Sequence, residues 1–203
     1  MNKAVFLDRD GVINRRPPQG DYVTRWEDLH LLRGAAKAIR LLNDAGFLVI
    51  VISNQRCVAK GLITIEELEA MHRRMCQVLA SEGATIDQVY YCPHEKEACA
   101  CRKPAPGMLL SAARTHDVDL VSSWMIGDSD IDVAAGHNAG CRTARLLTDN
   151  QLPEEIAEIT ANSLLDAVGE ILALETTCTK SHTGEPAGSH RQKTAFVERA
   201  RGS

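Results

Sequence analysis

The run Phe6-Leu7-Asp8-Arg9-Asp10-Gly11 constrains this chain more than any other stretch. Ala4 to Leu7 is an apolar run of strand length, and Gly11 marks a turn just past it. Side chains alternate along a strand, so Asp8 and Asp10 leave on the same side. Two carboxylates so placed repel each other unless a cation sits between them. A hard cation with oxygen ligands, Mg2+ above all, suits that arrangement. Taken alone, Asp-x-Asp-Gly also fits an ordinary turn after a strand. The remaining chain has to decide.

That remainder alternates strand and helix. Ala35, Ala38, Ile39, Leu41 and Leu42 recur at helical spacing before Gly46. Phe47 to Ile52 is a continuous apolar run, as in a strand covered on both faces, and it ends in Ser53-Asn54-Gln55. Thr64-Ile65-Glu66-Glu67 is a capping box that opens a helix reaching about Glu82. On that helix Met71 and Met75 read as core, and His72 reads as a surface residue. Strands follow at Gln88–Tyr91, Trp124–Ile126 and Arg142–Leu147, with helices from Pro106, after Asp128, and from Ser163 to Leu174. The expected fold is α/β, a Rossmann-like three-layer sandwich around a mostly parallel sheet. Arg15 to Leu31, rich in Pro, Gly and charge, is expected to be a loop beside the aspartates, too short for a large cap domain. The domain is expected to span residues 1–175. Thr176 to Ser203 is polar and basic and is expected to be a disordered tail, with Cys178, His182 and His190 solvated.

In parallel sheets, ligands sit beyond the carboxyl ends of the strands. Asp8, Asp10, Ser53, Arg102, Lys103 and Asp128 all fall at or just after such ends. Phosphoryl transfer to a carboxylate needs an ionised nucleophile, a neutralising cation, donors to the phosphoryl oxygens and an acid for the leaving group. Asp8 can attack. Asp10 can protonate the leaving oxygen and then activate water. Ser53 can donate to the phosphoryl group, Lys103 can stabilise charge, and Asp128 offers Mg2+ a remote carboxylate. Each has a plain alternative as a turn cap or surface charge, and Asp132 reads as a local packing or bonding residue. Their joint occurrence, in this order, favours chemistry.

Cys92-x-His94-x4-Cys99-x-Cys101 offers three thiolates and one imidazole, the donor set of a closed structural zinc site. With every position filled by protein, no catalytic water is expected there. Its expected effect is to fix Arg102 and Lys103, which follow at once. Cys57, Cys76 and Cys141 read as buried or incidental thiols.

The set Asp8-x-Asp10-Gly-Val-Ile-Asn14, Ser53-Asn54-Gln55, Cys101-Arg102-Lys103-Pro104 and Gly127-Asp128-x-x-x-Asp132 resembles the haloacid dehalogenase (HAD) phosphatase superfamily. With the zinc loop, it is similar to the phosphatases of D-glycero-D-manno-heptose 1,7-bisphosphate, with histidinol-phosphate phosphatases as relatives. The resemblance covers about residues 3 to 174. It implies Asp8 as nucleophile, Asp10 as proton donor, and Mg2+ on Asp8, Asp128 and the backbone carbonyl of Asp10. It implies substrate contacts from the Asn14 to Tyr22 loop, from Ser53-Asn54-Gln55-Arg56 and from Arg102. Arg56 and Cys57 stand where the family often has a small residue and a glycine; Arg56 could bind a second phosphate or lie on the surface. Ser129 stands where some relatives carry a lysine.

The expected partner is a small sugar phosphate, handled by a monomer in the cytoplasm. The net charge of -4 gives no global basic field for nucleic acid, no apolar run approaches a membrane span, and Met1-Asn2-Lys3 leaves no room for a signal peptide. Other readings are histidinol phosphate as substrate, a phosphatase of nucleic-acid 3' ends, and a non-catalytic zinc-stabilised binding module. The Gly11-Val12-Ile13-Asn14 run favours the heptose substrate over the histidinol one, and a binding module would need neither Asp8 nor Asp10.

Overall fold

A computed structural model describes residues 1–95, 99–147 and 154–179, and the backbone of 196–199. Strands β1 (Ala4–Leu7), β2 (Leu48–Asn54), β3 (Gln88–Cys92), β4 (Trp124–Gly127), β5 (Arg142–Leu146), β6 (Ile159–Ala161) and β7 (Phe196–Arg199) form one sheet in the order β6-β5-β4-β1-β2-β3-β7. Every pairing between neighbours is parallel. Helices α1 (Ala35–Asp44), α2 (Ile65–Ser81), α3 (Gly107–His116), α4 (Asp130–Ala139) and α5 (Leu164–Thr179) cover both faces. This is the expected Rossmann-like sandwich.

The alternation within β1 decides which layer meets which helix. Val5 and Leu7 pack with Ile39 and Leu42 of α1, Leu68 and Met75 of α2, and Val168 and Ile171 of α5. Ala4 and Phe6 face the other way, onto Met108 and Leu109 of α3 and Ala135 of α4. Asp8 continues the Ala4–Phe6 alternation. It therefore emerges on the α3 and α4 side, from which Lys103 and Asp132 also approach.

The proline-rich stretch after the aspartates folds back on its own base. Arg15 N donates to the His30 carbonyl and Leu32 N to the Ile13 carbonyl. A short 3-10 turn, Trp26–Asp28, completes the return. The fold thus carries a strapped loop over the strand ends in place of a cap domain.

Two expectations are corrected, and one strand was not expected. His72 is fully buried, because its ring packs near Tyr91 and meets the Arg9 guanidinium beneath the sheet's end. The short edge strand β6 had too few residues to show alternation. The boundary placed at 175/176 lies inside α5, which runs on to Thr179, and the backbone of Phe196–Arg199 adds a parallel strand beside β3. Phe196 and Val197 are the β-favouring pair in that polar segment. Residues 180–195 and 200–203, with His182, His190 and the side chain of Cys178, lie outside the described residues.

The capping box at α2 is present as read: Thr64 Oγ1 accepts from Glu67 N at 3.2 Å, and Glu67 accepts from Thr64 N at 2.9 Å. Thr64→Ala should lower stability by about 1 kcal/mol in urea unfolding and leave turnover unchanged, since Thr64 is exposed and does not line the cavity above Asp8.

Candidate active site

Asp8 leaves the end of β1, Ser53 and Asn54 close β2, and Asp128 follows β4, so three adjacent strands deliver their polar residues to one place. Close backbone approach makes this possible at two glycines. Gly11 has φ +91°, and a Cβ there would fall 1.8 Å from Asp128 Oδ2. A Cβ on Gly127 would fall 2.0 Å from Asp132 Cβ. Both lie far inside contact distance, so any side chain would displace an aspartate.

Lys103 joins these groups. Its Nζ donates to Asp8 Oδ1 and to the Ile52 carbonyl, each at 2.8 Å, and lies 2.6 Å from Asp132 Oδ1. It is 3% exposed. Burial works against its charge, but Asp132 and Asp8 outweigh that and raise its pKa. Asn54 fixes the backbone beneath: it donates to the Lys103 carbonyl and accepts from the Lys103 N–H, both at 3.1 Å. Asn54, expected at the substrate, thus uses its amide to position Lys103.

Asp132 is the residue that sequence reasoning undervalued. Its Oδ2 accepts from the Ser129 hydroxyl at 2.5 Å and from Ser129 N at 3.2 Å, which is the expected local bonding. Its other oxygen reaches Lys103, so it belongs to the site as well. The signal lay in its place one helical turn after Asp128.

Asp10 faces another set of partners. Arg9 holds it through Nε and Nη2 at 2.9–3.1 Å, Asn14 donates to it at 2.8 Å, and Gln55 lies at 3.4 Å. The far end of Arg9 meets His72 Nε2 at 3.0 Å. Burial, then the Arg9 charge, hold His72 well below its usual pKa, so its neutral Nε2 accepts from Arg9. Asn14 is itself fully buried and orients Asp10. Gln55 also donates to Ser53 Oγ at 2.6 Å. Sequence reading found neither Arg9 nor His72, because only the fold brings them together.

Asp8, Asp128 and Asp132 place carboxylate oxygens within 4.8 Å of one another. Burial, more than any neighbour, raises Asp8 to about 6 and Asp128 to about 8. Asp128 Oδ2 is buried without a hydrogen-bond partner. Three clustered carboxylates share one buried ammonium and one half-exposed guanidinium, that of Arg16 on Asp128, and one Asp128 oxygen goes unused. That fits a hard divalent cation with oxygen ligands. The Asp10 carboxylate is outside this cluster.

A cavity of about 280 Å³ opens above Asp8, lined also by Asp10, Ser53, Arg102, Tyr22 and Ser129. Arg56 is not among its lining residues; it pairs with Glu95 at 2.5 Å. Arg102 lines the cavity and lies 3.4 Å from the His94 carbonyl.

Cys92, His94, Cys99 and Cys101 converge behind Arg102, with donor atoms 3.1–3.6 Å apart. A tetrahedral zinc with Zn–S of about 2.3 Å needs sulfurs about 3.7 Å apart, so the cluster fits with small relaxation. Cys92 ionises most readily, at about 5, chiefly because Cys101 donates to it. Cys57, Cys76 and Cys141 are buried free thiols, as expected.

Two outcomes test this construction. Asp132→Asn should lower kcat roughly ten- to hundred-fold, the usual cost of losing an orienting partner, with the fold intact by circular dichroism. Cys101→Ser should lose its zinc by elemental analysis and melt at a lower temperature, and its kcat should fall because Arg102 and Lys103 lose their anchor.

Comparison with known proteins agrees with the geometry. Residues 100–171 match the HAD-hydrolase-like family. The chain is 46% identical over 145 residues to the D-glycero-beta-D-manno-heptose-1,7-bisphosphate 7-phosphatase of Rhodopseudomonas palustris, covering 68% of this chain and 79% of that one. It is 41% identical over 137 residues to the D-glycero-alpha-D-manno-heptose-1,7-bisphosphate 7-phosphatase of Mycobacterium bovis, covering 66% and 72%. Its fold matches the crystal structure of D,D-heptose 1,7-bisphosphate phosphatase from B. bronchiseptica, complexed with magnesium and phosphate. That match has a TM-score of 0.76 and 34% identity, covering 85% of this chain and 99% of that one. The chain belongs to the heptose-1,7-bisphosphate phosphatase family of HAD hydrolases.

Proposed function

We propose that the protein hydrolyses the 7-phosphate of a D-glycero-D-manno-heptose 1,7-bisphosphate, leaving the 1-phosphate for nucleotide activation of the heptose. The observation that carries this reading is the buried Asp8–Lys103–Asp132 chain beside Asp128, in a chain whose relatives bear that activity. Asp8, Asp128 and the backbone carbonyl of Asp10 would hold Mg2+, and Asp132 faces the same cluster. When bound, the ion neutralises phosphoryl charge and keeps Asp8 ionised.

The chain's own residues then divide the work. Asp8 attacks phosphorus, and the P–O bond to the sugar breaks. Asp10, aimed by Arg9, Asn14 and Gln55, gives its proton to the leaving sugar oxygen. Lys103 offsets charge on Asp8 and the transferring group. The aspartyl-phosphate is hydrolysed by a water that Asp10, now a base, deprotonates. Ser53 contacts the phosphoryl oxygens, while Arg102, Ser129, Asn54, Gln55 and the Asn14–Tyr22 loop surround the sugar and its second phosphate. Arg56 acts at the rim with Glu95. The zinc cluster takes no step and holds the Arg102-Lys103 corner. The catalytic unit extends through the end of α5 at Thr179, working as a cytoplasmic monomer on a small molecule, without nucleic acid or membrane. In support, no helix among the described residues is long and apolar enough to cross a membrane.

Purified protein with Mg2+ should release phosphate from the alpha or beta anomer of the heptose bisphosphate much faster than from histidinol phosphate or a 3'-phosphorylated oligonucleotide. Release from histidinol phosphate alone would reject the substrate assignment. Asp8→Asn should lose activity on the order of 10⁴-fold or more, as removal of a nucleophile does; full turnover in that variant would reject the covalent route.

A further inference from the structure

Arg16 sits where neither the chemistry nor the family motifs require it. Its Nη2 pairs with Asp128 Oδ1. The Asp128 side chain is fully buried, but that of Arg16 is 45% exposed, so its guanidinium reaches down from the surface onto the cluster. Arg16 belongs to the proline-rich loop that walls the cavity over Asp8. On its outer side the same loop lines a second cavity of about 510 Å³ with Arg15, Thr24 and His30. The loop is strapped at its base through Ile13, Arg15, His30 and Leu32. Beyond that strap, the Arg16 side chain has open space to either side.

The charges define the consequence. Asp8, Asp128 and Asp132 are buried together, and Lys103 touches the first and the last of them. Asp128 draws its contact cation from the surface, through Arg16. A divalent ion entering this cluster must share Asp128 with that guanidinium. Two cations on one buried carboxylate repel each other with little screening by salt.

We propose that Arg16 is a resident counter-ion of Asp128 that competes with the divalent ion, so that the ion binds by displacing its guanidinium into the cavity above Asp8. Arg16 is then a positioning residue that acts through Asp128. This rests on reading the carboxylate cluster as the magnesium site. By linkage, a side chain that stabilises the ion-free form lowers ion affinity by the same factor. Removing it tightens the ion and weakens the ion-free fold. A merely structural Arg16 would do the opposite to the ion, since its loss would loosen the site.

The experiment is calorimetric titration of the full zinc-loaded chain with Mg2+ alone, for wild type, Arg16→Gln, Arg16→Lys and Asp128→Asn. Arg16→Gln should bind Mg2+ about five-fold or more tightly than wild type. Arg16→Lys keeps the charge and should stay within about two-fold of wild type. Without Mg2+, Arg16→Gln should melt a few degrees below wild type, and saturating Mg2+ should bring the two together. Equal or weaker Mg2+ binding by Arg16→Gln overturns the competition while leaving the magnesium site standing. Absence of binding by wild type, or undiminished binding by Asp128→Asn, overturns the magnesium reading and the competition with it.

Discussion

Lys103 places an ammonium group, almost wholly out of water, between Asp8 and Asp132, and its third bond goes to the Ile52 carbonyl. Burying a charge is costly unless opposite charge and hydrogen bonds replace the lost water. Here both are supplied, from β1, β2 and the start of α4. The ammonium therefore ties the ends of adjacent strands to the helix that follows β4. It is also too little charge for its setting. It bonds two of three clustered carboxylates, Asp128 drawing on Arg16 instead, and burial pushes the Asp8 and Asp128 carboxyls upward. The three carboxylates make a group that could hold a further cation.

Such a lysine must arrive on a loop, because it lies between β3 and α3 rather than on either. A loop alone would hold it loosely. Two restraints act at once. The Cys92–His94–Cys99–Cys101 cluster pins the segment immediately before it, and Asn54 grips both backbone groups of Lys103 itself. The cysteine–histidine cluster and Asn54 thus flank Lys103 from outside the carboxylate cluster. On the opposite wall, Arg9 is buried completely and spends its guanidinium on Asp10 and His72. The two aspartates of the opening motif are consequently held in unlike settings: Asp8 against an ammonium inside a carboxylate cluster, Asp10 in a cage of guanidinium and amides. Proximity in sequence did not give them the same chemistry.

Much of this could be read from the chain. The apolar runs at β1 and β2, the Thr64 capping box and the alternation of strand and helix specify a parallel sheet, because each is a local pattern with a local cause. That Asp8 and Asp128 converge, and that Cys92, His94, Cys99 and Cys101 do, was legible since each follows a strand end or keeps a metal-ligand spacing. The grip of Asn54 on the Lys103 backbone was not, since an amide after a strand carries no sign of a backbone partner 49 positions away. His72 looked like a surface residue because helical periodicity does not reveal that a buried arginine waits beneath. Arg56 could be read as a phosphate contact or a surface residue, and local sequence gives no sign of its ion pair with Glu95.

By itself the sequence determined the alternation of strand and helix, the polar residues at the strand ends and the spacing of the cysteine–histidine cluster, because covalent spacing and side-chain alternation are short-range properties. Only the tertiary structure decided which carboxylates share Lys103, that Asp132 belongs with Asp8, that Asn14 and Asn54 orient other residues, and that Arg16 rests on Asp128. Those contacts bring together residues as far apart in the chain as Asp8 and Asp132. Their energies depend on burial and on the balance of charge around them, and neither exists until the chain has folded.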